Sequence, residues 1–156
     1  MEEVKIRRCG AKDLDLILEF SRKLHEFEKK IYHNYKEFSD FEEELQKFLK
    51  KKLRSDKSIF LLAEMNGKPV GMAYGWIRST FFLKDKEIGY LAEIWVEEKY
   101  RKEGIGRRLV EEMLRWFEDK GVKLVRTEVL EGNKDALRFF IDLGFKPVSR
   151  EMEIKL

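Results

Sequence analysis

One stretch decides the fold of this chain: residues 94–107 read IWVEEKYRKEGIGR. An apolar, strand-like run leads through a charged turn into a helix that starts with Gly104 and Gly106. The first N–H groups of a helix have no partner inside it, and the helix dipole adds positive charge there, so phosphate oxygens bind well. The glycines let an anion approach the main chain. Cationic side chains around the turn add charge, namely Arg101, Lys102, Arg107 and Arg108. The stretch predicts a site for a phosphate-bearing cofactor.

The glycine spacing excludes two common phosphate-binding motifs. A P-loop needs two glycines separated by four residues and followed by Lys and then Ser or Thr, and a dinucleotide fold needs Gly-x-Gly-x-x-Gly. Neither pattern is present in the chain. Residues 101–106 instead have the pattern Arg-x-x-Gly-x-Gly. This pattern resembles the acyl-CoA motif of the GNAT superfamily of N-acyltransferases.

A second stretch is similar to another signature of the same superfamily. Residues 133–145 read NKDALRFFIDLGF, with an Asn, an Ala three residues later, an aromatic pair and a closing Leu-Gly-Phe. The strong resemblance covers residues 87–149, whereas the N-terminal half matches only in its order of elements. The resemblance implies a single GNAT-like N-acetyltransferase domain over residues 1–156. Its fold class would be α+β, with a mixed, mostly antiparallel sheet of about seven strands flanked by about four helices.

Helical and strand periods predict the remaining elements. Two apolar runs separated by Asn66-Gly67 predict an antiparallel hairpin. Ser39 stands three residues before Glu42 in a capping-box pattern and predicts the start of the second helix. Asn133 predicts the start of the last helix. The predicted strands cover residues 4–8, 59–65, 70–77, 88–96, 122–129, 145–149 and 152–156.

Composition narrows the class of protein. The 156 residues suffice for one core, and 33 Lys and Arg against 30 Asp and Glu leave a net charge of only +3 without a basic stripe. We therefore expect no nucleic-acid partner. The chain has no apolar run of membrane-spanning length and no signal-like start, so we expect a cytoplasmic protein with no membrane partner. The single cysteine, Cys9, excludes an internal disulfide. The dense mixed charge is typical of thermophilic proteins.

The resemblance implies where acetyl-CoA, the expected co-substrate, would bind without a metal. In the superfamily the fourth and fifth strands separate, and the acyl-pantetheine arm lies between them like an extra strand. One main-chain N–H of the fourth strand would then stabilise the developing oxyanion. The implied cofactor-binding residues are Ile94, Trp95, Val96, Arg101, Lys102, Glu103, Gly104, Ile105, Gly106, Arg107, Asn133 and Phe140.

Two carboxylates are candidates for the catalytic base. A free amine with a pKa of about 10.4 is protonated at neutral pH, so some group must take its proton before acyl transfer. Glu93 and Glu128 both stand where the strands are expected to separate. Glu128 is the first choice, because a Glu at this position resembles the base of ribosomal-protein N-terminal acetyltransferases. Phe140 departs from the superfamily pattern, which has a Tyr there that is thought to protonate the leaving thiolate.

The activity implied by the resemblance is direct transfer of an acetyl group from acetyl-CoA to a primary amine. The acceptor stays open between a peptide N-terminus, a lysine, a polyamine and another small amine. Acidic and aromatic residues between the first two helices would suit a cationic amine, among them His25, Glu26, Glu28, Tyr32 and Tyr35. The alternatives are a non-catalytic acyl-CoA-binding regulatory module and a generic nucleotide binder. Association into a homodimer is also left open.

Overall fold

The computed structural model describes residues 3–156, which form one five-stranded sheet and four α-helices. The strands lie side by side in chain order; β1 to β4 are antiparallel, and β5 runs parallel to β4. The α+β class and the mixed, mostly antiparallel sheet are confirmed. The strands are β1 (Val4–Arg8), β2 (Ser58–Met65), β3 (Lys68–Ser79), β4 (Glu87–Val96) and β5 (Val125–Thr127). The helices are α1 (Leu14–Ile31), α2 (Glu42–Leu53), α3 (Ile105–Asp119) and α4 (Lys134–Asp142).

The sheet separates two apolar cores because side chains alternate along each strand. In β2, Ile59 and Leu61 belong to the core shared with α3, and Phe60 belongs to the core shared with α1 and α2. The helices therefore cover both faces of the sheet. This three-layer arrangement places the end of β4 between α1 on one face and α3 on the other.

The hairpin between β2 and β3 has the predicted turn. Asn66 and Gly67 both adopt positive φ values, 51° and 76°. Positive φ at both central residues matches the right-handed twist of the flanking strands, which is why Asn-Gly is favoured there. The prediction from the sequence is confirmed.

The predicted strand count of about seven is wrong. Residues 145–149 and 152–156 have strand-like patterns, yet the structure describes them without regular secondary structure. The predicted strand at 122–129 is reduced to β5, three residues long. A strand is stable only when a neighbouring strand satisfies its main chain, and β5 is the last strand of the sheet order.

The predicted cap of α2 is also wrong. Ser39 lies in a short 3₁₀ turn, Phe38–Asp40, and Phe41 is the residue that precedes the helix. No side chain caps α2.

Within residues 3–156, no helix is both long enough and apolar enough to cross a bilayer.

Candidate active site

The candidate site lies where β4 and β5 part. The two strands pair only over Gly89–Leu91 and Val125–Thr127. Past Leu91, β4 continues to Val96 with β3 as its partner, and no strand of residues 3–156 pairs with its other edge. A bulge contributes to this separation, because Tyr74 pairs with Glu93 and Gly75 with Leu91, which leaves the intervening residue unpaired. Ile94, Trp95 and Val96 therefore lie on a free main-chain edge, where an extended ligand can add as a strand.

The turn that follows β4 has the conformation of an anion-binding loop. Lys102 has a φ of +65° and Gly104, the residue before α3, has a φ of +85°. Left-handed residues within such a turn bring successive main-chain N–H groups to one concave side. A Cβ atom added at Gly104 would meet nothing within 4 Å, so this side of the turn is open. The turn fits a phosphate group at the start of α3.

Gly106 has a different role from the one that the sequence suggested. A Cβ atom on Gly106 would lie 3.1 Å from two ring carbons of Phe139, on α4. The glycine therefore allows α3 and α4 to approach each other. The main-chain N–H of Gly106 remains at the helix start, but the space next to its Cα is filled by the aromatic ring.

Only some of the cationic side chains expected around the turn are free to face it. Arg101 donates from Nε to the carbonyl oxygen of Val96 at 2.7 Å, and its guanidinium lies 4.5 Å from the ring centre of Trp95. Arg107 pairs with Glu111 in the same helix, and Arg108 donates to the carbonyl oxygen of Val4 at 2.7 Å. Arg108 is thus bound at the start of β1, and its expected role near an anion is not supported.

The other predicted cofactor-binding residues have distinct environments. Ile105 is buried in the core and anchors α3, so only its main chain faces the turn. Lys102 and Glu103 are exposed on the turn. Asn133 caps α4, accepting from the N–H of Ala136 at 3.2 Å, which confirms the predicted cap. The contacts of these residues with a cofactor stay predictions.

Phe140 lies in the core. Its ring is 5% exposed and packs edge to face against Phe139 and Phe145, at centroid distances of 5.1 and 5.3 Å. The resemblance implies that the residue at this position lies beside the sulfur of the co-substrate. In this conformation the ring contributes packing under the site, and a contact with the sulfur stays a prediction.

The buried position of Phe140 determines the effect that we expect of Phe140→Tyr. The added hydroxyl would be buried without a partner, so we expect a loss of about 1–3 kcal/mol in the free energy of unfolding and no gain in rate. Urea unfolding and steady-state rates between pH 7 and 9 measure both quantities. A faster enzyme above pH 8 with unchanged stability would instead place the hydroxyl beside the leaving sulfur.

Glu93 is the most constrained carboxylate of the site. Its Oε1 atom accepts a hydrogen bond from Ser21 Oγ at 2.6 Å and a second one from the hydroxyl of Tyr74. Ser21 comes from α1 and Tyr74 from β3, so a helix and a strand that pack together hold the same oxygen. No described side chain donates a hydrogen bond to the second carboxylate oxygen, Oε2.

Burial raises the pKa of Glu93 to about 7, although the hydrogen bonds from Ser21 and Tyr74 act to lower it. The negative charge of Glu28 raises this pKa further. A carboxyl that titrates near neutrality is a competent general base at physiological pH. Glu93 therefore has both a fixed orientation and a suitable pKa.

Glu128 differs from Glu93 in its surroundings. It follows β5, is exposed, and has no hydrogen bond or ion pair with another described side chain. The pKa of Tyr90 is raised first by burial and then by the charge of Glu128, with Glu93 and Glu28 also contributing. The charges of Glu28, Glu93 and Glu128 thus all act on the region around Tyr90, and Glu93 is distinguished among these carboxylates by its burial. The sequence preferred Glu128, and which of the two glutamates is the base stays a prediction.

Sequence reasoning missed Ser21, although a signal was present. Ser21 is 1% exposed on the face of α1 that otherwise carries Ile17, Leu18 and Phe20. A polar residue on an apolar helix face must find a hydrogen-bond partner.

Cys9 is excluded as a nucleophile, because burial raises its pKa to about 12. Among the described residues, no group of His, Cys, Asp and Glu is arranged to hold a metal ion.

Comparisons with known proteins agree with this geometry. A model of the acetyltransferase (GNAT) family matches residues 21–145. An uncharacterised N-acetyltransferase of Methanocaldococcus jannaschii is 29% identical over 144 residues, which cover 90% of this chain and 60% of that protein. The chain therefore spans about 60% of the length of this relative. A thialysine N-epsilon-acetyltransferase of Bos taurus is 30% identical over 156 residues, covering 92% of this chain and 85% of that protein.

Solved structures share the fold at low sequence identity. An aminoglycoside N-acetyltransferase in complex with CoA superposes with a TM-score of 0.76 at 18% identity, over 100% of this chain and 96% of that one. A GCN5-related N-acetyltransferase from Ralstonia eutropha superposes with a TM-score of 0.82 at 14% identity, over 98% and 99% of the two chains. At these identities the likeness concerns the fold.

Proposed function

Because the chain belongs to the acetyltransferase (GNAT) family, we propose that it transfers the acetyl group of acetyl-CoA to a small cationic primary amine, with Glu93 as the general base. The observation that carries this proposal is the half-buried Glu93 carboxylate, whose pKa is raised to about 7 beside the free edge of β4. The thioester supplies the activated acetyl group. The residues of the chain orient it, take up a proton and exclude water.

The free edge of β4 and the glycine turn would each bind a different part of the co-substrate. The main chain of Ile94 and Val96 is available to pair with an extended arm, and one N–H of this edge would stabilise negative charge on the carbonyl oxygen. The turn ending at Gly104 would hold the phosphates through main-chain N–H groups at the start of α3.

Glu93 would take the amine proton through Oε2. Both fixed hydrogen bonds reach Oε1, so the second oxygen keeps its lone pairs for the incoming amine or for an intervening water. The leaving thiol has an ordinary pKa of about 8.5, so it is a fair leaving group even without a dedicated acid. Direct transfer therefore needs no tyrosine at position 140.

Burial raises the pKa of Glu93, and the hydrogen bonds of Ser21 and Tyr74 moderate this rise. Both hydrogen bonds favour the ionised carboxylate and lower its pKa. We therefore expect Ser21→Ala and Tyr74→Phe to move the acid limb of the kcat/KM profile to higher pH. The pH dependence of kcat/KM between pH 5 and 9 measures this shift.

Ser58 offers a matched control for Ser21. Its hydroxyl is also buried, yet it has no hydrogen-bond partner. We expect Ser58→Ala to leave the acid limb in place. If Ser21→Ala leaves the limb unmoved as well, Glu93 is not the group that titrates in the profile.

The charge around the opening supports a cationic acceptor. Glu28, on α1, is half-buried and its pKa is raised by burial, Glu128 is exposed, and the charges of both raise the pKa of Tyr90. Neither carboxylate forms an ion pair with a Lys or Arg among the described residues. A second positive charge on the acceptor would compensate these carboxylates. The thialysine N-epsilon-acetyltransferase relative supports a substrate of this kind.

Thiol release from acetyl-CoA tests the function. The panel comprises thialysine, lysine, spermidine, an aminoglycoside, a peptide N-terminus and an uncharged amine of similar size. We expect turnover with acceptors that carry a second positive charge. CoA binding without turnover of any acceptor would leave the non-catalytic binding module, and equal affinity for ADP and CoA would support the generic nucleotide binder.

A further inference from the structure

Two arginines flank Tyr90 from the strands on either side of it. The guanidinium of Arg78, on β3, lies 4.2 Å from the ring centre of Tyr90, on β4. Arg126, on β5, is the partner of Tyr90 in the parallel pairing of β4 and β5. Because paired residues of neighbouring strands point to the same face of a sheet, Arg126 and Tyr90 share a face. We call Arg78 and Arg126 the arginine pair.

The arginine pair lies on the face of the sheet that Glu93 occupies. A Cβ atom on Gly89 would lie 2.8 Å from the ring of Phe117, which belongs to α3, so Gly89 faces α3. Tyr90, the next residue, therefore faces the opposite side of the sheet. There it packs at a centroid distance of 5.9 Å from Trp76, which belongs to the core shared with α1 and α2. Glu93 faces this side as well, because a side chain of α1 donates a hydrogen bond to its carboxylate.

The arginine pair has no anionic partner within residues 3–156. Neither guanidinium forms an ion pair with a carboxylate that the structure describes. Arg78 is exposed and Arg126 is half-buried. Stacking on an aromatic ring uses the flat face of a guanidinium and leaves the N–H groups at its edge available. Such an edge binds a carboxylate through two parallel hydrogen bonds, so the arginine pair suits an acid group on a ligand.

Negative charges surround the same tyrosine. Burial raises the pKa of Tyr90, and the charges of three carboxylates raise it further: Glu128, Glu93 and Glu28. The charge of Arg78 acts to lower this pKa. Charges of both signs are therefore close to one ring. Glu93 stands three residues after Tyr90, roughly 10 Å along an extended strand, so an acceptor that reaches both must be about as long as a lysine.

We propose that the acceptor is a basic amino acid, whose carboxylate binds the arginine pair while its side-chain amine is acetylated beside Glu93. The inference rests on the proposed function, because it places the acceptor in the same site. The α-ammonium group is attracted by Glu28 and Glu128. Acetyl transfer itself is unchanged, because the amine nitrogen forms the bond to the acetyl carbon as the C–S bond breaks. Glu93 takes the amine proton, and the electron pair of the C–S bond leaves with the thiolate of CoA.

Three acceptors that differ by one group test this assignment. Cadaverine is lysine without its carboxylate, and aminocaproate is lysine without its α-ammonium group. We expect a kcat/KM for lysine that is roughly 10-fold or more above that for cadaverine, and a lower value for aminocaproate than for lysine. Mass spectrometry of the product should find the acetyl group on the side-chain nitrogen of lysine. Acetylation of the α-amine, or a preference for an aminoalkyl phosphate of the same length, would overturn the proposal.

Arg78→Gln and Arg126→Gln test whether the arginine pair binds the carboxylate. We expect each variant to lower the lysine-to-cadaverine ratio of kcat/KM by roughly 10-fold, chiefly through a higher KM for lysine. Arg115→Gln is the matched control, since this exposed arginine lies on α3 and pairs with Glu112. It should keep the ratio of the parent. A ratio that stays at the parent value in both variants of the arginine pair would overturn the proposal.

Calorimetric titration measures binding of the acceptor without turnover. The protein is saturated with CoA, which carries no acetyl group, and is titrated with lysine or with cadaverine. We expect lysine to bind roughly 10-fold more tightly. Acetylation of cadaverine without a preference for lysine in rate or in affinity would overturn this inference and leave the proposed function standing. Absence of acetylation for every amine tested would overturn the proposed function, and the inference with it.

Discussion

Glu93→Gln is expected to lower kcat by roughly 10²-fold or more and to remove the acid limb of the pH profile near pH 7. The amide cannot take a proton, so the amine must lose its proton to solvent. Its Oε1 oxygen can still accept the hydrogen bonds from Ser21 and Tyr74, so the local structure should persist. Affinity for CoA should stay unchanged. Steady-state rates from pH 5 to 9 and calorimetric titration with CoA measure these effects.

Stability provides a second readout for Glu93→Gln. The pKa of Glu93 in the folded protein, about 7, lies above its ordinary value of 4.5. The folded state therefore binds a proton that the unfolded state releases, and the contribution of this group to stability is lost as pH rises from 4.5 to 7. Above pH 7 the variant should be more stable than the parent, by about 1–3 kcal/mol, with the lower end favoured by the partial exposure of the side chain.

Glu128→Gln is the matched control for the base. This exposed carboxylate should affect the binding of the cationic acceptor more than kcat. A larger fall in kcat for Glu128→Gln than for Glu93→Gln would assign the base to Glu128, as the sequence first suggested. Unchanged rates in both variants would mean that solvent deprotonates the amine.

Gly104→Val is expected to weaken CoA binding by roughly 100-fold or more. The residue has a φ of +85° before the start of α3, and the space beside its Cα is open. A valine would project a branched side chain into the space where a phosphate would approach the main-chain N–H groups. It would also strain the turn, because β-branched residues strongly disfavour positive φ. Calorimetric titration with CoA gives the affinity.

Gly121→Val separates strain from the loss of the binding site. Gly121 follows the other end of α3, has a φ of +82°, and likewise has nothing within 4 Å of an added Cβ. The two glycines stand about 25 Å apart along the helix. We expect both variants to lose about 1–3 kcal/mol of stability from backbone strain, and only Gly104→Val to lose CoA binding. Equal affinities in the two variants would place the phosphate site elsewhere.

Local signals predicted much of the framework correctly. The Asn66-Gly67 turn, the Asn133 cap and the glycine turn before α3 depend on residues close together in sequence. Their conformations follow from the freedom of glycine, the side-chain oxygen of asparagine and the unpaired N–H groups of a helix start. The two strand-like stretches after α4 show the limit of this reasoning. Alternation identifies a segment able to form a strand, but a strand also needs a free neighbouring edge, and no local pattern specifies one.

The sequence by itself determined the α+β class, the two motifs of the acetyltransferase family and the pair of glutamates near the strand opening, because spacing and residue type carry these features. Only the tertiary structure showed how the surroundings of the two glutamates differ. Ser21 and Glu93 are 72 residues apart, and Tyr74 reaches the same carboxylate from another strand. The tertiary structure also showed that the ring of Phe139 fills the space beside Gly106, which stands 33 residues earlier in the sequence. Burial and hydrogen bonds between distant residues set a pKa and orient a side chain, and neither quantity is carried by the local sequence.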